Sequence, residues 1–285
     1  MHEILHILEH TLLDTLKLIP FLFITYLIME YIEHKTSEKV KGTIQKSGRF
    51  GPLFGAIVGI FPQCGFSVSA TNLYSARVIT LGTLISVYLA TSDEMLPILL
   101  TESVPVNTIF TILGIKLIIG IIAGFAIDTV MRLIKKEKCE EQKIEELCEH
   151  EHCHCEEGIF VSAIKHTLNI ILFIFIIALI INGIIELIGE ETIAHFISRN
   201  AMLGPVIAGV IGLIPNCASS VILTELFIEN VITMPMLISG VAVNAGVGLV
   251  VLFRTNKNLK ENLKIVGLLY SIGVISGIIL QIILR

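Results

Sequence analysis

The stretch FPQCGFS, residues 61–67, interrupts an apolar region of the chain with a proline, an amide, a thiol and a glycine. A near-copy, IPNCASS, occupies residues 214–220. Proline and glycine interrupt regular helices, and buried amide groups are costly unless they find hydrogen-bond partners. Two such stretches in one chain predict two helix interruptions that serve the same purpose.

The composition predicts a polytopic membrane protein built entirely of α-helices. Of 285 residues, 54% are hydrophobic and 16% are charged, and the mean hydropathy is +0.84, whereas soluble domains carry about 25% charged residues. The segment from Ile265 to Leu284 contains no charged residue, and a run of this length matches a hydrocarbon core of about 30 Å. The first ten residues lack the basic region of a signal peptide, so the first apolar segment is expected to stay in the protein.

An internal repeat divides the chain into two halves. One constant offset pairs Pro62 with Pro215 and Cys64 with Cys217, and it also relates glycines further along the chain. We therefore predict a first membrane repeat at 1–134, a linker at 135–165 and a second membrane repeat at 166–285.

The positions of the basic residues predict that the two repeats have inverted topology. Three loops hold most of the lysines and arginines: 34–49, 132–165 and 254–264. The counterparts of the first and third loops contain a single basic residue, Arg199. Because cytoplasmic loops are enriched in Lys and Arg, these non-equivalent positions indicate inversion. The linker is then cytoplasmic and both termini lie outside.

The lengths of the apolar segments leave two topologies open. Three segments of the first half are long enough to cross a membrane: 11–33, 78–102 and 107–131. The segment 50–61 amounts to only about 18 Å of helix, and 66–76 is equally short. Each half therefore has either five crossings or three crossings plus a re-entrant hairpin. We favour the hairpin, in which 78–102 is one helix and the tips PQCG and PNCA meet near the middle of the membrane.

The two tips contain the first candidate ion ligands. Interrupted backbone at membrane depth is tolerated only where it is buried in protein or lines a cavity, and inverted-repeat transporters build ion sites there. The alternative is that proline, glycine and serine only bend and pack the helices. An amide and a thiol in both tips favour an ion site. The candidate residues are Gln63, Cys64, Ser67, Asn216, Cys217, Ser219 and Ser220.

A pair of carboxylates adds a second set of candidates. Asp93 and Glu94 lie well inside segment 78–102, where an ionised carboxylate costs about 2.5–3.5 kcal/mol and is a functional candidate by default. The corresponding stretch of the second half has no charge and begins with Asn244, whose amide oxygen joins the candidates. With five crossings, the carboxylates would instead lie in a loop. Lys116 either pairs with a carboxylate or extends to the interface.

The linker is rich in potential metal ligands. Its stretch CEHEHCHC contains Cys148, His150, His152, Cys153, His154 and Cys155. In a reducing cytosol, dense cysteines and histidines favour metal capture over disulfides, and the spacing matches no fixed zinc-finger pattern. The alternative is a solvated acidic linker.

The N-terminal sequence HEILH, residues 2–6, matches the HExxH template of zinc proteases. No third ligand is evident, and the terminal position offers no packing to exclude water. We therefore expect no enzyme here; a weak metal-exit site or a surface helix are the alternatives.

The paired P-[QN]-C motifs in two apolar halves, joined by a His/Cys/Glu-rich linker, resemble the ten-helix heavy-metal exporter family. Its members are labelled manganese transporters or arsenic efflux proteins. The resemblance covers nearly the whole chain and implies export of a cation across the plasma membrane of a prokaryote. It brings no settled set of ligands.

The chemistry of the candidate residues predicts the ion. Oxygen donors of Gln63, Asp93, Glu94 and the two asparagines suit Mn²⁺, whereas Cys64 and Cys217 keep Zn²⁺, Cd²⁺ and arsenite open. We therefore expect a manganese exporter, with an arsenite or organic-anion permease as the alternative. No nucleotide-binding GxxxxGK[ST] motif occurs, so transport is secondary or driven by a separate subunit. The expected partners are the lipid bilayer and the metal ion; no permanent cofactor and no nucleic acid is expected, and a homodimer stays open.

Overall fold

The structure is a computed structural model of the chain. It describes selected helical residues between 12 and 27, then 50–134 except Gln63 and Asp93, 159–188 and 203–284. These ranges contain no β-strand, as the composition predicts. The helices in these ranges are α1 (Gly51–Gly59), α2 (Cys64–Ser75), α3 (Leu81–Ala90), α4 (Met95–Thr101), α5 (Val106–Ile134), α6 (Ile159–Ile188), α7 (Gly204–Gly212), α8 (Ala218–Ile228), α9 (Met234–Val243), α10 (Gly248–Thr255) and α11 (Leu259–Ile283).

Four segments within the described part of the chain are long and apolar enough to cross a membrane. They are Leu81–Thr101, Val106–Ile134, Met234–Thr255 and Leu259–Ile283. Helices α5 and α11 also expose large apolar side chains, such as Phe110, Ile122 and Ile275. Apolar side chains on an outer surface are expected where a helix contacts lipid rather than water. The fold is that of a polytopic membrane protein.

The same series of five helices occurs twice, once from α1 to α5 and once from α7 to α11. In both copies the first helix carries a proline, Pro52 or Pro205, in its first turn. Proline suits this position because its missing N–H would have no partner there. After the second helix of each copy, Arg77 and Asn230 adopt positive φ angles of 59° and 60°. The repeated sequence thus has repeated backbone features.

Packing inside the two copies is also the same. The hydroxyl group of Ser86 donates to the carbonyl oxygen of Pro52 at 2.5 Å, and Ser239 donates to Pro205 at 2.6 Å. Helix α3 packs against α1 and α5, and α9 packs against α7 and α11. The last helix of each copy approaches this contact through a glycine, Gly124 or Gly277, where an added Cβ atom would lie 3.0 or 2.6 Å from Cβ of the serine. Three helices in each copy therefore form a tight bundle.

The expectation of one continuous helix over 78–102 is wrong. Helix α3 ends at Ala90 and α4 begins at Met95, with Thr91 in a non-helical conformation (ψ 126°). Short polar side chains explain the interruption, because they compete for local backbone groups: Thr91 donates to the carbonyl of Val87, and Ser92 donates to that of Ala90. The carboxylate pair predicted inside a helix thus lies in the sequence at a break between two helices.

The second copy is interrupted at the corresponding place. Helix α9 ends at Val243 and α10 begins at Gly248. Asn244 accepts a hydrogen bond from the backbone N–H of Gly246, which has a positive φ of 54°. A glycine is required there because a Cβ atom disfavours that conformation.

The two copies pack together by exchanging contacts. Helix α2 of the first copy packs against α10 of the second, and α8 of the second copy packs against α4 of the first. Three other predicted segments agree with the structure: the short segments 50–61 and 66–76 correspond to α1 and α2, and the long segment 107–131 corresponds to α5. The packing of α2 on α10 and of α8 on α4 brings the starts of α2 and α8 into contact.

Candidate functional site

The two tip cysteines are in contact. Helix α2 begins at Cys64, and Cys217 is the N-cap residue of α8. Their Sγ atoms lie 2.8 Å apart, and each residue is 7% exposed. The positive ends of two helix dipoles favour negative charge at this point. The contact brings together two thiols that can bind one ion.

The other described tip residues bind to backbone of their own tip. Ser67 donates to the carbonyl of Cys64 and Ser220 to that of Cys217, both at 2.8 Å. Ser219 donates to the carbonyl of Asn216 at 2.9 Å. These hydroxyl groups therefore shape the two tips, and their oxygens face local backbone.

The amides and carboxylates predicted as ligands lie at different places in the structure. Asn216 accepts a hydrogen bond from the backbone N–H of Cys217 at 2.8 Å, so its amide oxygen helps to hold the second tip. Asn244 is buried at the end of α9. Glu94 is half-buried and directly precedes α4. Gln63 and Asp93 lie outside the described residues.

Of the candidate residues that the structure describes, Cys64 and Cys217 form a contact that joins the two tips. In these ranges no group of three or more His, Cys, Asp or Glu side chains could hold a metal ion. An ion bound by the thiols would therefore take its further ligands from backbone, amide or hydroxyl oxygens, or from water. The linker ligands Cys148, His150, His152, Cys153, His154 and Cys155, and the HEILH motif at 2–6, lie outside the described residues.

Lys116 has a role that the sequence left open. Its side chain is 0% exposed, and its ammonium group donates to the carbonyl oxygen of Thr91 and, at 3.1 Å, to that of Val241. Thr91 follows α3 of the first copy, and Val241 lies near the end of α9 in the second. A buried ammonium group needs such acceptors because its desolvation is costly. The lysine thus joins the copies beside both helix breaks.

A second link between the copies was not predicted. The guanidinium group of Arg77 forms two hydrogen bonds with the carboxylate of Glu261, at 2.7 and 3.0 Å. Tyr74 donates its hydroxyl to the same carboxylate. Two parallel bonds between guanidinium and carboxylate have fixed geometry and are stronger than neutral hydrogen bonds. The sequence signal for this pair is weak: Arg77 follows the apolar segment 66–76, and Glu261 lies just before the last apolar segment.

Comparison with known proteins gives one family match. The sequence profile of a family described as "Putative, 10TM heavy-metal exporter" matches residues 6–190. This range is well over half of the chain; it includes the first copy, from α1 to α5, and the linker, and it ends before α7. No curated protein and no solved structure gives a significant match.

Proposed function

The chain belongs to this family of 10TM heavy-metal exporters, and we propose that it exports a thiophilic divalent cation such as Zn²⁺ or Cd²⁺ through a site centred on Cys64 and Cys217. The observation that carries the proposal is the 2.8 Å separation of the two Sγ atoms. One thiol comes from each copy of the repeat. The affinity for an ion bound by both thiols would therefore depend on the relative position of the two copies.

The chemistry of two thiolates suits such an ion. Soft thiolate ligands select zinc and similar ions over manganese. Two thiolates also neutralise the two charges of the ion, which lowers the cost of holding it inside a membrane. Two sulfurs on one tetrahedral zinc ion lie about 3.8 Å apart, given Zn–S bonds of about 2.3 Å. A zinc ion bound by both thiolates would therefore hold the two Sγ atoms further apart than the 2.8 Å contact.

The two copies supply a mechanism for transport. We propose that they are inverted repeats and that α1–α2 and α7–α8 are re-entrant hairpins whose tips meet near the middle of the membrane. Rocking of one copy against the other would expose the site to each side in turn. The contact of the two tips and the matching helix series support this proposal. The His/Cys-rich linker, Cys148 to Cys155, would capture the ion in the cytosol.

Manganese is the second candidate. Glu94 is half-buried beside the break between α3 and α4, and Asp93 precedes it in the sequence. If these carboxylates carry the ion, hard Mn²⁺ is preferred because its ligands are oxygens. Arsenite is a third candidate, since trivalent arsenic also binds thiolates, and it would use the same cysteine pair.

The test is metal binding and export by the full-length protein. Purified protein is titrated with Cd²⁺, Zn²⁺, Mn²⁺ and arsenite, and inside-out vesicles are assayed for uptake of each. We expect Cys64→Ser and Cys217→Ser to abolish transport of the thiophilic ion and to lower its binding stoichiometry, because only the ligands of the linker then remain. Cys139→Ser, which replaces a linker cysteine outside the six predicted ligands, is the matched control and should leave both unchanged.

The outcome separates the candidates. Loss of Mn²⁺ transport in Asp93→Asn, with normal transport in both cysteine variants, would favour manganese and reject the thiol site. Transport of arsenite alone, lost in both cysteine variants, would keep the site and change the substrate.

A further inference from the structure

The tip helices of the two copies pack along two corresponding seams. The first seam is α2 against α10, and the second is α8 against α4. Beside the first seam, the hydroxyl group of Tyr88 on α3 lies 2.5 Å from that of Thr71 on α2. Both also lie close to the carbonyl oxygen of Gly248, at 3.2 and 3.3 Å. A Cβ atom on Gly248 would lie only 3.0 Å from that of Ser67, so the backbone of α10 directly faces a hydroxyl-bearing surface.

The polar surface continues along α2 away from the thiols. Ser75 and Thr255 form a hydrogen bond between their hydroxyl groups, at 2.8 Å. Cys64, Thr71 and Ser75 are spaced so that they share one face of the helix. The first seam therefore carries hydroxyl groups from the thiol pair to the end of α2, next to buried apolar side chains such as Val68 and Val251.

The second seam is more apolar than the first. Met95 stands where the first seam has Gly248, and Ile228 stands where it has Ser75. Met95 and Leu99 are fully buried. They belong to one apolar cluster with side chains of α8, namely Ile222, Leu223 and Leu226. The hydroxyl groups of Ser220 and Thr224 on α8 donate to backbone carbonyls of their own tip and helix, and Met95 and Leu99 of α4 offer the ion no ligand oxygen.

The far end of the first seam is closed by the ion pair of Arg77 and Glu261. These residues tie the end of α2 to the start of α11 in the other copy. The guanidinium group also lies 5.3 Å from the centre of the Tyr74 ring. At the corresponding end of the second seam stand Asn230 and Thr108, which carry no charge. Arg77 and Asn230 have similar positive φ angles, 59° and 60°, so the two turns carry different side chains on a similar backbone.

Two buried amides beside the first seam have oxygens without a hydrogen-bond donor among the described residues. Asn72 of α2 is 0% exposed, and neither atom of its amide has a partner in the described part of the chain. Asn262 of α11 is 1% exposed; its nitrogen donates to the carbonyl of Asn256 at 2.8 Å, which leaves its oxygen without a donor there. Unsatisfied buried polar groups are rare in native proteins and call for an explanation. Amide oxygens are ligands that divalent cations accept.

We propose that the transported cation passes between the thiol pair and the Arg77 end along the first seam, and that the Arg77–Glu261 ion pair closes this route. The proposal rests on the proposed function, because it supplies the path to that site. A divalent cation that arrives at Glu261 competes with the guanidinium group for the carboxylate. Release of Arg77 lets α2 and α10 separate, and the hydroxyl and amide oxygens then replace water around the ion. The apolar second seam stays shut meanwhile.

The native cysteines themselves report on access. The full-length protein in sealed vesicles of each orientation is treated with a membrane-impermeant cationic methanethiosulfonate, and mass spectrometry measures the rates at which Cys64 and Cys217 are modified. We expect Arg77→Gln and Glu261→Gln to raise both rates roughly tenfold from one side of the membrane. A tenfold change corresponds to removal of about 1.4 kcal/mol from the closed state. The charge swap Arg77→Glu with Glu261→Arg should return both rates to those of the wild type.

Asn230→Ala, at the corresponding turn of the second copy, is the matched control and should leave both rates unchanged. Wild-type rates in both single variants would overturn the proposal. So would equal increases from both sides, which indicate general loosening, or a failure of the charge swap to restore closure. The modification reports access whether or not the thiols bind metal. Protection by added Cd²⁺ tests the proposed function separately, so the two ideas can fail independently.

Discussion

The Nζ atom of Lys116 lies 3.1 Å from the carbonyl oxygen of Val241, in the other copy of the repeat. The same ammonium group donates to Thr91, next to the break between α3 and α4. At the corresponding position of the second copy stands Leu269, which is buried in the apolar core. The two copies therefore share a fold, but a single charged side chain from one of them holds both together at the helix breaks.

Replacement of Lys116 by methionine should destabilise the protein markedly. Each buried carbonyl that loses its donor costs about 1–3 kcal/mol. The measurement is the midpoint of thermal unfolding in detergent, followed by circular dichroism. Leu269→Met is the matched control, since a volume-conserving change in a core usually costs less than about 1.5 kcal/mol. Equal midpoints for Lys116→Met and the wild type would contradict the inferred role.

Gly124→Ala should destabilise the bundle of the first copy. A Cβ atom there would lie 2.7 Å from Cβ of Pro52, and such overpacking costs about 1–3 kcal/mol. In the same helix, Gly114 has open space where a Cβ atom would lie. Gly114→Ala should therefore be stabilising, by about 0.4–1 kcal/mol. Denaturant titration of both variants in detergent gives the comparison, and a reversed order of stabilities would reject the packing described for α1 and α5.

Ser86→Ala and Ser239→Ala should have similar effects because their hydrogen bonds correspond. Each loses a buried bond to a proline carbonyl and should cost about 1 kcal/mol. The two bonds lie in different copies. The losses in free energy of unfolding caused by the two single substitutions should therefore add in the double variant. Unfolding titrations of the two single variants and the double variant test this. A large effect in one copy and none in the other would mean that the repeated contacts are not equivalent.

Asp128→Ala should destabilise the start of α3. The carboxylate of Asp128 accepts hydrogen bonds from the hydroxyl of Thr80 at 2.7 Å and the backbone N–H of Gly82 at 2.9 Å. A carboxylate at a helix N-terminus also interacts favourably with the positive end of the helix dipole. The loss of such a cap costs about 0.5–2 kcal/mol. Thr129→Ala, at the exposed neighbouring position, should be close to neutral. Hydrogen exchange of the first turn of α3 measures the local effect; protection equal to that of the wild type would contradict it.

Much of the architecture could be predicted because its causes are local or compositional. Pro52 and Pro205 start short helices, and the apolar stretch around Phe110 is long enough to cross a membrane. The repeat is visible because both copies keep the same prolines, glycines and cysteines. The interruption at Thr91 was missed, since hydrophobic periodicity does not show that short polar side chains bind their own backbone.

The candidate site was predicted in outline and differs in detail. The sequence placed seven polar residues at the tips, and the structure brings the thiols of Cys64 and Cys217 together while Ser67 and Ser220 bind carbonyl groups of their own helices. Nothing in the spacing of a single helix distinguishes a side chain that faces its own backbone from one that faces the other copy. The oxygen-rich composition therefore favoured manganese, whereas the contact favours a thiophilic ion.

The sequence by itself determined the membrane class, the two copies and the positions of most helices, because hydrophobicity, proline and glycine act within a few residues. Only the tertiary structure decided which residues meet: Cys64 with Cys217, Lys116 with Val241, and Arg77 with Glu261. Each of these pairs joins different copies of the repeat, and the two cysteines are 153 positions apart in the chain. Contacts at such separations depend on how the copies pack, and the pattern within either copy does not specify that packing.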